Sequence, residues 1–215
     1  MASLPTIICF GDSLTAGYQS PTYDAPTPGE TPYGAYLQRR LGPAARVTVT
    51  GICGELTGEM VLRFRKDVIA PHPRTGIILG GTNDLGWNAA PKEILCNLIK
   101  MFESARYAGI QPVSFTVPSL RGTGEAESPD ALAWVQSHID HRRQLNHALS
   151  EYCASKDIPC LDLFTATADP ATGLLAEPYS NAGLHLTTEG YTLMADLLYH
   201  QVFAPQFGQA PPTSS

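Results

Sequence analysis

Thr6-Ile7-Ile8-Cys9-Phe10-Gly11-Asp12-Ser13-Leu14-Thr15 is the stretch on which the fold turns. An apolar, strand-forming run ends at a glycine, and the glycine delivers a serine to the start of a helical stretch. The N-terminal end of a helix presents free backbone N–H groups, which are donors for a developing oxyanion, so a hydroxyl placed there is a candidate nucleophile. Gly11-Asp12-Ser13 equally suits a plain helix-capping serine, and the segment alone does not separate the two roles.

Working outward, apolar strand-like runs recur at residues 6–10, 46–50, 75–79, 112–117 and 159–163, with helical periodicity between most of them. Leu132, Val135, Ile139, Leu145, Leu149 and Tyr152 repeat at helical spacing, so residues 130–155 form a long amphipathic helix opened by Ser128-Pro129-Asp130. Ile94, Leu95, Leu98, Met101, Phe102 and Ala105 mark the helix before it, and Tyr191, Met194, Leu197 and Leu198 a closing helix. Alternating strands and helices with right-handed crossovers give an α/β fold, a three-layer α/β/α sandwich on a five-stranded parallel sheet. In such a fold the ligand site lies beyond the carboxyl ends of the strands. Ser13 follows the first strand, Gly54 the second and Asn83 the third, so three separate segments deliver polar groups to that edge. Residues 19–32 and 119–130, rich in proline and glycine, leave the same edge as loops, the first read as a rim that shapes the pocket.

Three further segments match this geometry in order: Gly51-Ile52-Cys53-Gly54-Glu55-Leu56-Thr57-Gly58, Gly80-Gly81-Thr82-Asn83-Asp84 and Gly183-Leu184-His185-Leu186-Thr187. With Gly11-Asp12-Ser13-Leu14, the chain resembles the SGNH, or GDSL, hydrolase family over roughly residues 5–200, with Ser13, Gly54, Asn83 and His185 at its marker positions. The resemblance implies a flavodoxin-like strand order and a carboxylic ester hydrolase. Ser13 would be the nucleophile and His185 the base, with the Ser13 and Gly54 N–H groups and the Asn83 side chain forming the oxyanion hole. One position departs from the family: the aspartate expected three residues before the histidine is Ala182. That acid normally holds the imidazole in its productive tautomer, and its loss can lower turnover by around 10⁴ with the geometry intact. Three accounts of Ala182 stand at this point: a deliberate replacement of an aspartate that reduces activity, a natural Ser-His dyad, and a homologue that binds without catalysing. Asn181 and Glu189 are near in sequence, and a backbone carbonyl or a water is the other acceptor for the imidazole N–H. Asp12 and Asp84 read as structural residues of their turns.

The expected substrate is a small or medium acyl ester, with no cofactor. Transfer of the acyl group to an alcohol or sugar, or deacetylation of a carbohydrate, would use the same residues. Trp87 and Leu184 are the candidates for lining a substrate pocket, and Trp134 is read as core. His138 and His141 share one face of the long helix but lack a carboxylate or cysteine to complete a metal set, so they read as solvated helix residues and no metal is expected. Gly80-Gly81-Thr82 lacks a phosphate-loop lysine.

With 215 residues, 43% hydrophobic, the chain is sized for one domain, read as 1–205 with a flexible tail at 206–215. A net charge of -6 offers no basic stripe for nucleic acid or an anionic membrane. The five cysteines, Cys9, Cys53, Cys96, Cys153 and Cys160, are odd in number and scattered, which suits reduced packing residues, with Cys153–Cys160 the one pairing left open. No signal peptide or membrane span is legible, so the expectation is a cytoplasmic protein; oligomeric state is not encoded in any motif.

Overall fold

The computed structural model describes residues 4–122 and 128–207. β1 (Thr6–Gly11) breaks into the one-turn helix α1 (Ser13–Ala16), and a hairpin of β2 (Tyr18–Gln19) and β3 (Gly29–Glu30) follows. Next come α2 (Tyr33–Leu41), β4 (Arg46–Gly51), α3 (Thr57–Phe64), β5 (Thr75–Leu79), α4 (Thr82–Gly86), α5 (Pro91–Tyr107) and β6 (Gln111–Phe115). The chain closes with α6 (Pro129–Ser155), β7 (Cys160–Leu161), α7 (Leu163–Thr167), the hairpin β8 (Ser180–Asn181) and β9 (His185–Leu186), α8 (Thr188–Leu198) and α9 (Ala204–Phe207). Among the described residues, five strands form one parallel sheet in the order β4-β1-β5-β6-β7, the flavodoxin-like order expected. The order reverses at β1, which makes its carboxyl end the switch point where ligands bind in such sheets.

The two faces of β1 build the two halves of the core. Ile7 and Cys9 point into a cluster with Leu37, Tyr191, Met194 and Leu198, contributed by α2 and α8. Ile8 and Phe10 point the other way, into Met60, Leu98, Phe102, Leu145 and Leu149 of α3, α5 and α6. A strand buried on both faces must be apolar at every position, which is why residues 7–10 read as a continuous run. Each fully buried side chain of this size contributes about 1.5–3 kcal/mol.

Element ends follow local chemistry. α5 begins on Pro91 and α6 on Pro129, where a missing N–H costs nothing, and the Ser128 hydroxyl accepts from Ala131 N–H at 3.2 Å. Asp12, not Ser13, caps α1: its carboxylate accepts from Leu14 N–H at 2.9 Å. β7 is shorter than the run 159–163 because Asp162 caps a new helix there, accepting from Thr165 N–H at 3.1 Å. Gly11 is obligatory, since a Cβ at that position would lie 2.2 Å from the Leu79 carbonyl oxygen.

Two expectations on the long helix need correction. Trp134 is 53% exposed and not core, because the first turns of α6 run beside an open cleft before the helix reaches the sheet. His138 is buried, not solvated, with its ring stacked on Trp134 at 3.9 Å between centroids. All five cysteines are free thiols, so no Cys153–Cys160 bond is formed. Of the tail at 206–215, Gln206 and Phe207 end the helix α9, and 208–215 lie outside the described residues, as do 123–127 of the loop 119–130.

Candidate active site

Ser13 sits at the first position of α1, immediately beyond the end of β1, and the turn that places it is fixed by its neighbour. The Asp12 carbonyl accepts from Thr15 and Ala16 N–H at 3.0 Å each, while the Asp12 side chain holds Leu14 N–H. Burial pushes the Asp12 carboxyl up to about 7, reinforced by the negative charges of Asp84 and Glu55.

His185 comes from the far end of the chain on the β8–β9 hairpin. Its Nε2 lies 3.2 Å from Ser13 Oγ, a contact between residues 172 positions apart. Burial holds its pKa below the ordinary histidine value, which keeps the ring neutral and able to accept a proton. The Tyr18 ring packs edge-on against it at 4.8 Å.

The other imidazole nitrogen has a partner that sequence reasoning missed. Nδ1 lies 3.0 Å from Ser20 Oγ, in the loop 19–32, which the sequence marks only as a pocket rim. Asn181 clamps this serine from both sides: its Oδ1 accepts from Ser20 N–H at 2.5 Å, and its Nδ2 donates to the Ser20 carbonyl at 3.3 Å. Asn181 therefore reaches the histidine through Ser20, and Glu189 is exposed in the first turn of α8. Nothing local marks Ser20, because it is 165 residues from His185 and its role depends on the hairpin packing against β2.

Ala182 occupies the turn of that hairpin with φ of +53°, followed by Gly183 at +83°. Aspartate and asparagine enter this left-handed region more readily than alanine, so the turn suits the residue the family would place there.

Gly54 has φ of +80°, and the space where a Cβ would stand is open. Its loop is tied to the next one by Asn83, whose Nδ2 donates to the Glu55 carbonyl at 2.9 Å, leaving the second amide hydrogen for another acceptor. Asp84 adds a second tie, accepting from Thr57 N–H at 3.0 Å and from the Thr57 hydroxyl at 2.5 Å. Arg63 braces the other side of the loop. It pairs with Glu55 and Asp67 and donates to the carbonyls of Gly11 at 2.9 Å and Thr50 at 3.0 Å, so the ends of β1 and β4 share one guanidinium with the Gly54 loop.

A family model for GDSL-like lipases and acylhydrolases matches residues 9–193. The chain belongs to the GDSL-like lipase/acylhydrolase family. It is thereby one of a family of hydrolases acting on esters. A Bacillus subtilis protein named as the uncharacterised lipoprotein YqeF is 29% identical over 126 residues, 55% of this chain and 51% of that one, so the match spans about half of the relative. Among solved structures, a lipase/acylhydrolase from Enterococcus faecalis has a TM-score of 0.71 at 24% identity, covering 96% of this chain and all of the other. The carbohydrate acetylesterase Est24 from Sinorhizobium meliloti has a TM-score of 0.73 at 16% identity, covering 94% and 99%. At these identities the likeness to both structures is one of fold.

In this GDSL-family chain a cleft of about 600 Å³ opens beside Asn83 and Ala182. Trp87 and Leu184 both line it, with Trp87 80% exposed at the mouth. Among the described residues no cluster of three or more His, Cys, Asp or Glu could hold a metal, and no helix is long and apolar enough to cross a membrane.

Proposed function

We propose that the chain is a serine ester hydrolase for small or medium acyl esters, in which the Ser20 hydroxyl replaces the missing carboxylate as the partner of His185. The reading rests on one observation: a single imidazole held between two hydroxyls, 3.2 Å from Ser13 and 3.0 Å from Ser20. With Nδ1–H donating to Ser20, Nε2 carries the lone pair and accepts the Ser13 proton as Oγ attacks the ester carbonyl. The carbonyl oxygen then becomes an oxyanion, received by the N–H groups of Ser13 and Gly54 and by the free amide hydrogen of Asn83. His185 returns the proton to the departing alcohol, leaving an acyl-enzyme. Water, deprotonated by the same nitrogen, attacks that ester and releases the acid and Ser13.

A hydroxyl orients the ring but brings no negative charge to the imidazolium, so turnover is limited by charge stabilisation and not by geometry. The test is hydrolysis of p-nitrophenyl esters from acetate to octanoate by the native chain, Ser13→Ala and Ala182→Asp. The expected result is a loss of about 10³-fold or more in kcat for Ser13→Ala and a gain of about tenfold or more for Ala182→Asp. Native-level turnover in Ser13→Ala would overturn the reading.

A further inference from the structure

The cleft beside Asn83 has a charge that contrasts with the rest of the molecule. The chain carries a net charge of -6, yet the described residues lining this cleft include two arginines, Arg121 and Arg142, and among them no aspartate or glutamate. Arg121 sits toward the surface and is already paired, with Glu177 at 3.1 Å and the Leu175 carbonyl at 2.8 Å. Arg142 is different. It projects from α6 to the base of the cleft, is 1% exposed, and uses Nε and Nη1 to reach only two backbone carbonyls, Pro118 at 3.2 Å and His138 at 3.3 Å. Among the described residues no carboxylate meets it, and no acceptor meets its Nη2.

Carbonyl dipoles satisfy hydrogen bonds but do not cancel a full charge. A cation taken out of water without a counterion is unstable unless something of opposite charge arrives. Burial lowers the Arg142 pKa only to about 10, so the guanidinium stays charged at neutral pH. A second polar group in the cleft wall is also unsatisfied: the Thr82 hydroxyl, 3% exposed, has no hydrogen-bond partner among the described residues. Between this polar base and the mouth stand the Trp87 and Trp134 rings, which suit an apolar or flat connecting segment.

We infer that this cleft binds a carboxylate carried by the substrate, so that the preferred esters have an anionic end seated against Arg142 and Thr82 and an apolar segment between the two tryptophans. One guanidinium edge and one hydroxyl match a singly charged, planar carboxylate. The inference rests on the proposed ester chemistry at Ser13, since Asn83 is shared by the cleft and that site.

The experiment compares kcat/KM for neutral and anionic esters of matched length. One arm sets p-nitrophenyl butyrate and hexanoate against the mono-p-nitrophenyl esters of glutarate and pimelate, with the charge on the acyl part. The other sets the butyrate ester of 4-hydroxybenzamide against that of 4-hydroxybenzoate, with the charge on the alcohol part. The expected result is a preference of about tenfold or more for the anionic ester in one arm, with the ratio falling toward one in Arg142→Met. A native chain that hydrolyses neutral esters and takes anionic ones no faster in either arm overturns the inference, as does a preference unchanged in Arg142→Met. Failure to hydrolyse any ester would instead count against the Ser13 reading. Should Arg142→Met not fold, competition on the native chain decides: inhibition of p-nitrophenyl butyrate hydrolysis by free glutarate but not by glutaramide supports the site, and equal potency of the two overturns it.

Discussion

A single hydroxyl, that of Ser20, decides how His185 works in this account. Removing it leaves Nδ1–H without its acceptor in a half-buried setting, which costs about 1–3 kcal/mol. Ser20→Ala should therefore lower kcat about tenfold with little change in KM, and adding Ala182→Asp to that variant should restore turnover by supplying a new acceptor. The pH dependence carries the same signature. Burial lowers the His185 pKa, and only the neutral ring accepts the Ser13 proton, so the acid limb of kcat/KM should have its midpoint below 6.5. A carboxylate beside the ring favours imidazolium, so Ala182→Asp should move that midpoint upward. Asp12 gives a stability effect of definite sign. Its carboxyl is raised from 3.8 to about 7 in the folded chain, so the folded state holds the proton more tightly than the unfolded one. Its stabilisation is complete below pH 3.8 and is lost as pH rises through 7. Asp12→Asn keeps the cap to Leu14 and should flatten the fall in melting temperature between pH 4 and 8 that this group imposes. At this scale the sequence announces Ser13 and His185, because each lies in a distinctive local run. Ser20 is silent, because Gln19-Ser20-Pro21 is an ordinary loop whose meaning arises only when Asn181 closes on it.

Among the elements, the Gly54 loop is tied to the strand ends by Arg63, on the helix α3 that packs Met60 and Phe64 into the core. The guanidinium joins Glu55, Asp67 and two strand-end carbonyls, and it lies 4.1 Å over the Phe10 ring. Arg63→Ala leaves Glu55, 7% exposed, without its partner. Breaking a largely buried pair in this way costs about 3–5 kcal/mol, which thermal or denaturant unfolding would register directly. Elements whose apolar period is unbroken were legible: β1, β5, α5 and the sheet-facing part of α6 all follow from residue pattern. Those set by tertiary contact were not. The hairpin of β2 and β3 is two residues on each side and carries no period, and Trp134 fits the helical face of α6 while facing the cleft instead of the sheet. Periodicity tells which face a side chain shares, but not how far along the helix the sheet extends.

For the whole molecule, the strand order explains why distant segments converge. β1 lies between β4 and β5, so the loops after these three strands, carrying Ser13, Gly54 and Asn83, emerge side by side, and the β8–β9 hairpin brings His185 to them. Alternating strands and helices made the three layers predictable, whereas the lateral order followed only from the family resemblance, since no residue in a strand names its neighbour. The resulting crevice sets the His185 imidazole against the Ser13 hydroxyl from opposite ends of the chain, and a serine-directed fluorophosphonate probes that pairing without any assumption about substrate. Peptide mass spectrometry after labelling should find one adduct per chain, on Ser13, with the labelling rate falling by about 10³ or more in His185→Ala. A native chain left unmodified at Ser13, or modified there equally fast without His185, would contradict the account.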